Sequence, residues 1–276
     1  MPFTLSHAAA ALPFRRFKPV WPALVIGTMA PDFEYFLRLS DEGRTGHHFP
    51  GLVIITLPLA ILVFCLFECY VRKPIVELLP LALQRRLQNH LKSRSVTGWK
   101  SFAVVMAWIL CGIATHLAWD WCTHPHTWIW EHWGWLRQKV AVPFHPPVMM
   151  NKLVQYASSL FGLTVLTIWF VVWYYRAVPA KQVLTKQLTP SRKVIIVGIM
   201  TTVVVIAGYP LAIQRVSELD PAMNPINVAA TFVEAVILLF SLQILLYGIV
   251  RTYATRSQRT AFSPADVDHT REPLRR

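Results

Sequence analysis

Five long runs without a lysine, arginine, aspartate or glutamate constrain this chain more than any other feature. They cover residues 52–67, 101–119, 153–175, 194–214 and 227–250, the last interrupted only by Glu234. At about 1.5 Å rise per residue, such runs cross, or nearly cross, a hydrocarbon core about 30 Å thick. Composition agrees: 54% of the 276 residues are hydrophobic and 15% charged, against about a quarter charged in soluble domains. The reading is an all-α, polytopic integral membrane helical bundle, embedded in a lipid bilayer. Residues 20–39 are a further apolar stretch, broken by Pro22, Pro31, Asp32 and Glu34. That stretch is either a sixth crossing or a half-inserted helix lying against the bundle.

The formal net charge of +13 is arranged by topology. Residues 72–100 hold seven basic side chains against Glu77, residues 176–193 hold five, and residues 251–276 hold six against three acids. The intervening loops are poorer, with three basic residues in 122–152 and one in 215–226. Every second loop is basic, which places the rich loops in the cytoplasm. The expectation is a multi-pass protein of a bacterial inner membrane with a cytoplasmic C-terminus. His48 and Cys122 then lie at the opposite, outer side. Because the basic residues are divided among three loops and form no aromatic-interleaved patch, nucleic-acid binding is excluded. Three regions are expected: residues 1–150 with two spans and the polar residues, a three-span scaffold in 151–250, and a flexible cytoplasmic tail in 251–276. Cys65 and Cys69, four apart within one span, read as packing residues.

The histidines are not spread evenly. Nine of the ten precede residue 146, and only His269 follows. The sharpest cluster is THLAWDWCTHPH, residues 115–126. On a helix, positions four apart are stacked on one face, so His116, Asp120 and His124 form one strip if the helix continues to His124. An ionisable strip at the end of an apolar helix needs a partner, water or a metal. Imidazole with carboxylate suits Zn²⁺, Mn²⁺ or Fe²⁺; a His–Asp hydrogen bond holding the bundle together is the alternative. His47 and His48 in GHHFPG, Asp32 and Glu34 in APDFEYF, and His7 in FTLSH can reach the strip from the same side. Convergence of these side chains within about 5 Å of one point is the signature of a metal site, since metal–ligand bonds are about 2.0–2.2 Å.

The stretches MPFTLSHAAAALPF, LVIGTMAPDFEYFLRL, GHHFPGLVIITLPLAIL, RKPIVELLP and GIATHLAWDWCTH resemble a family of bacterial membrane proteins defined only as a domain of unknown function, whose members open with MPFTLSHP. Ala8 stands where that family commonly has proline. In motif layout the family is similar to predicted membrane-bound metal-dependent hydrolases and, more remotely, to the all-helical zinc-dependent phospholipase C group. Those proteins have an early His, a Gly-x-x-x-Pro-Asp element, a second His and a helix bearing His-x-x-x-Asp. The elements fall here on His7, Gly27 to Asp32, His47 or His48, and His116 with Asp120. His124 resembles the later histidine of the phospholipase pattern, and Glu131 has no secure counterpart there.

The resemblance implies metal ligands among His7, Asp32, His47, His48, His116, Asp120 and His124, holding one or two divalent ions, zinc first among them. Asp32 or Glu34 would bridge ions or act as general base. The expected activity is metal-dependent hydrolysis of a phosphoester or other ester at the membrane interface, on a lipid or polyprenyl phosphate. The rivals are a transporter or proton-coupled channel, and a non-catalytic protein with a structural metal or His–Asp network.

Overall fold

The computed structural model describes residues 3–17, 20–39, 44–91, 98–142, 145–183, 188–220 and 222–261. A 3-10 helix, Thr4–Phe14, opens the chain. Two short helices follow, α1 (Trp21–Met29) and α2 (Phe33–Arg38), joined by the 3-10 turn Ala30–Asp32. Pro22 sits in the first turn of α1, where a missing N–H costs nothing. Pro31 sits in the first turn of the 3-10 element, where a proline nitrogen has no intrahelical bond to make. Five helical segments are long and apolar enough to cross a membrane: Leu52–Leu78, Trp99–His132, Met150–Arg176, Pro190–Leu219 and Pro225–Thr255. They contain the five runs read from the sequence. The Trp21–Arg38 stretch is not among them. α1 alone covers only about 14 Å at 1.5 Å per residue, which fits the half-inserted alternative.

The first span consists of a π turn at Leu52–Thr56, α3 (Leu57–Leu66), a second π turn at Phe67–Val71, and α4 (Arg72–Leu78). Each π turn lies just ahead of a proline, Pro58 or Pro74. The ring of a helical proline clashes with the carbonyl four residues back, and a wider turn there absorbs the conflict. After α5 (Leu81–Leu87) come α6 (Trp99–Thr123) and α7 (Trp128–His132). A two-stranded antiparallel hairpin, β1 (Lys139–Val142) with β2 (His145–Met149), leads into α8 (Met150–Arg176). α9 (Pro190–Leu219) and α10 (Pro225–Ala261) finish the bundle. α9 stays helical through Pro210. α10 carries the helix on to Ala261, into the stretch expected to be a loose tail; the rest of that tail, with His269, lies outside the described residues.

The core sits between α1, α3 and α6 and contains Ala23, Ile26, Ala30, Ala60, Phe64, Val105, Ile109 and Ile113. Two glycines set how closely α1 and α6 approach. A Cβ at Gly27 would lie 2.3 Å from the Ile109 carbonyl oxygen, and one at Gly112 would lie 2.5 Å from that of Leu24. α8 packs on the opening 3-10 helix through Gly162, against the Ser6 backbone. α9 faces α10 along a stripe of every fourth residue, Met200, Val204, Gly208, Ala212 and Val216. At the end of the first span remote from His47, Arg251 of α10 pairs with Glu77 of α4 at 2.6 Å.

The outward faces are apolar. Leu160, Phe161, Val194 and Ile206 are each at least two-thirds exposed, as lipid-facing residues are and as a water-soluble surface is not. Cys65 and Cys69 are also exposed, as are Cys111 and Cys122, and all four are free thiols. The expectation that Cys65 and Cys69 pack inside is corrected: they share a face, but that face points out of the bundle.

Candidate metal centre

Four separate pieces of chain bring a cluster of histidines and carboxylates together at one end of the bundle. α6 supplies His116 and Asp120 one turn apart, in its last two turns. The opening 3-10 helix supplies His7, the turn after α1 supplies Asp32, and the 3-10 turn Arg44–His47 supplies His47. The side-chain distances are those of a shared site. His116 Nε2 lies 3.2 Å from Asp120 Oδ2 and 3.5 Å from Asp32 Oδ1. His47 Nε2 lies 3.4 Å from Asp32 Oδ1 and 3.5 Å from Asp120 Oδ2. His7 Nε2 is 4.0 Å from Asp120 Oδ1, and the rings of His7 and His116 stack at 4.0 Å. Two triads, His7–Asp32–His116 and His47–His116–Asp120, each present ligand atoms within 4.8 Å of one another.

Each ligand is oriented from behind. His116 Nδ1 donates to the Thr28 carbonyl at 2.8 Å, a contact that the close approach of α1 and α6 at Gly27 and Gly112 makes possible. Asp32 Oδ2 accepts the Thr4 hydroxyl at 2.6 Å, and His47 Nδ1 lies 3.3 Å from the Tyr35 hydroxyl. Burial is graded across the site. The side chains of His116 and Asp32 are 0% and 1% exposed, Asp120 and His47 9% and 11%, and His124 19%. Asp32 and His116 therefore form the floor, and Asp120, His47 and His124 the rim.

The electrostatics of this arrangement call for a cation. Burial, reinforced by the facing His116, pushes the His7 imidazole down to about 4, so that ring is neutral near pH 7 and offers a lone pair. Burial pushes the Asp32 carboxyl up, but the facing His116 and His47 rings and the Thr4 hydroxyl outweigh it and hold the group below the usual carboxylate range. Since a carbonyl only accepts, the hydrogen of a neutral His116 ring must sit on Nδ1, leaving the Nε2 lone pair aimed at two carboxylate oxygens. His7 Nε2, His47 Nε2, His116 Nε2, Asp32 Oδ1 and Asp120 Oδ1 are all buried without a hydrogen-bond partner. A divalent ion held by either triad satisfies three ligand atoms at once. Ligands about 2.0–2.2 Å from one ion stand about 3.3–3.6 Å apart at tetrahedral angles, close to the separations found here.

Not every residue singled out in the sequence joins the cluster. His124 sits at its rim, with Nδ1 3.4 Å from Asp120 Oδ1. His48 is exposed, because the tight turn ending at His47 directs only the first of the two rings inward. Glu34 faces elsewhere: two residues on a helix are about 200° apart, so it cannot share Asp32's direction. Its Oε2 accepts the Gly46 amide at 2.8 Å, and its Oε1 pairs with Arg38 at 2.8 Å. Thr56 Oγ1 donates to the Gly46 carbonyl at 2.8 Å, so Glu34 and Thr56 together clamp the turn that carries His47. Glu34→Ala is expected to raise amide hydrogen exchange over residues 45–47 by about tenfold or more, the effect of leaving one buried donor unpaired. Glu131 and His132 are exposed on α7, and His126 packs on Trp130. Thr4, Thr28, Tyr35 and Gly112 escaped the sequence reading. Only Gly112, four residues before His116 on one helix face, left a signal that could have been used.

No curated protein and no solved structure matches the chain. One family does, and over most of the length: residues 1–251 match the family described as Domain of unknown function (DUF4184), to which this membrane protein belongs.

Proposed function

We propose that the protein is a membrane-embedded, metal-dependent hydrolase, with a single divalent ion whose ligands are drawn from His7, Asp32, His47, His116 and Asp120 and leave one position open. The observation that carries this reading is the pair of triads, His7–Asp32–His116 and His47–His116–Asp120, in each of which the ligand atoms lie within 4.8 Å of one another. The two triads share His116, whose Nδ1 is bonded to Thr28. Its one remaining nitrogen ties both triads to a single ion rather than two. Zinc suits a set of three imidazoles and two carboxylates. Such an ion supplies Lewis acidity that polarises a phosphoryl or acyl oxygen and makes water nucleophilic near neutral pH.

The chain's own residues do the rest. Thr28, Thr4 and Tyr35 fix the orientation of His116, Asp32 and His47. Asp120 and His124, on the more open edge, are better placed to move a proton than the buried Asp32 or the clamping Glu34. A cluster at one end of the bundle, not at its midplane, favours an interfacial ester or phosphoester substrate over a transported one. The alternation of loop charge supports an outer-facing cluster in a bacterial inner membrane with the C-terminus in the cytoplasm.

The test is elemental analysis of protein purified without chelators, combined with hydrolysis assays on bis-p-nitrophenyl phosphate and on phospholipid vesicles. About one equivalent of zinc and an activity abolished by His116→Ala are expected. A folded protein that carries no stoichiometric ion, or a hydrolysis indifferent to His116→Ala, overturns the proposal.

A further inference from the structure

A cavity of about 540 Å³ lies beside the cluster, between the opening 3-10 helix and α2 on one side and α8, α9 and α10 on the other. We propose that it receives the hydrocarbon chain of an amphiphilic substrate while the ester or phosphoester head lies at the His–Asp cluster. This inference rests on the hydrolase reading above and names the class of molecule that the site takes.

Two residues are walls common to both spaces. Thr4 lines the cavity and donates to Asp32; Tyr35 lines it and its hydroxyl reaches His47. The cavity and the cluster are thus one side chain apart at each of these points. The volume falls within the range of small-molecule sites, about 300–1,000 Å³.

The lining separates the two ends of an amphiphile. Phe3, Phe36, Val216, Leu219, Val233 and Ile237 give it an apolar surface. No lysine, arginine or histidine stands among the described lining residues, whereas Asp220 and Glu234 do. A phosphate finds no countercharge there and is repelled by carboxylates. The adjoining cluster, with its demand for a cation, is the place for the polar head. Asp220 is already engaged at the start of α10, accepting from Asn227 Nδ2 at 2.8 Å and from the Asn224 amide at 3.2 Å. Three of the cavity walls belong to helices long and apolar enough to span a membrane, which suits an occupant that resides in the bilayer.

The test uses the full chain in lipid nanodiscs and a hexadecylphosphonate carrying a photoreactive diazirine at the chain end, with labelled peptides located by mass spectrometry. Labelling concentrated on residues 216–219 and 227–237 is expected, with competition by unlabelled hexadecylphosphonate but not by butylphosphonate. Ala230→Trp and, independently, Thr231→Phe narrow the cavity away from the cluster. Each is expected to lower labelling about tenfold, the effect of displacing one to two buried methylenes, while bound metal stays unchanged. Labelling spread evenly over the lipid-facing surfaces of α8 and α9, or indifferent to both variants, overturns the inference. So does displacement of the probe far better by hexadecylamine than by hexadecanol, which assigns Asp220 and Glu234 to a cationic head. The same labelling on chelator-treated protein separates the two readings. Retained labelling in a protein that holds no metal and hydrolyses nothing condemns the hydrolase and keeps the chain site; lost specificity in an active metalloprotein does the reverse.

Discussion

Asp120→Asn is expected to remove the ion and, with it, much of the stability of this end of the bundle. Among the described residues, Asp120 is the one side chain that reaches His7, His47, His116 and His124 together. Replacing one oxygen by an NH₂ group puts donors where imidazole donors or a cation must sit, and removes one of two charges that offset the ion. Metal affinity is expected to fall by at least about a hundredfold, the upper end of what losing even an orienting partner costs. An ion present at a hundred times its dissociation constant stabilises the folded state by about 2.7 kcal/mol. The variant should therefore melt at a lower temperature, read by intrinsic tryptophan fluorescence. The control is decisive. Chelator should lower the melting temperature of the wild type towards that of the variant and leave the variant unmoved. If chelator acts equally on both, the cluster is a proton-sharing network and not a metal centre. Thr4→Val and Tyr35→Phe, which keep every ligand and remove only an orienting group, are expected to weaken binding by about tenfold each.

Gly112→Ala and Gly27→Ala should be nearly as damaging, although neither glycine touches the site. The added Cβ atoms would lie 2.5 Å from the Leu24 oxygen and 2.3 Å from the Ile109 oxygen. Both obstacles are backbone and have no rotamer by which to yield, so α1 must move away from α6. Overpacking of this kind costs about 1–3 kcal/mol. The movement also draws the Thr28 carbonyl away from His116, so metal affinity should fall together with stability. Gly198→Ala is the matched control: nothing lies within 4 Å of its added Cβ, and in a helix interior alanine is favoured over glycine by about 1 kcal/mol. Thermal unfolding and metal titration of the three variants separate a general intolerance of substitution from the specific demand of the α1–α6 crossing. An undisturbed Gly112→Ala would show that the crossing does not set the geometry of the site.

Relations within one helix were legible in the sequence, and relations between segments were legible only as a list of participants. The His116–Asp120 pair follows from the helical period alone; α6 stops at Thr123, and His124 meets Asp120 from the extended residue that caps the helix. His47 and His48 are indistinguishable by residue type, and the turn at Arg44–His47 chooses between them. Asp32 and Glu34 looked equivalent as acids; their angular separation sends one to the cluster and the other to the loop beneath it. The depth of the Trp21–Arg38 stretch was ambiguous because its apolar content suits either a crossing or an enclosed helix. Packing against α6, which depends on two glycines with no chemistry of their own, decides that it is enclosed.

What the sequence determined by itself is where this protein resides and which faces of its helices carry polar groups. Both follow from the local physics of burying an uncharged run in lipid and stacking every fourth residue. Only the tertiary structure decided which histidines and acids share a point. That depends on how closely α1 and α6 approach, how a four-residue turn is clamped by Glu34 and Thr56, and where the opening 3-10 helix docks on α8. Backbone-to-backbone contacts at Gly27, Gly112 and Gly162 set those distances, and no periodicity along the chain encodes them.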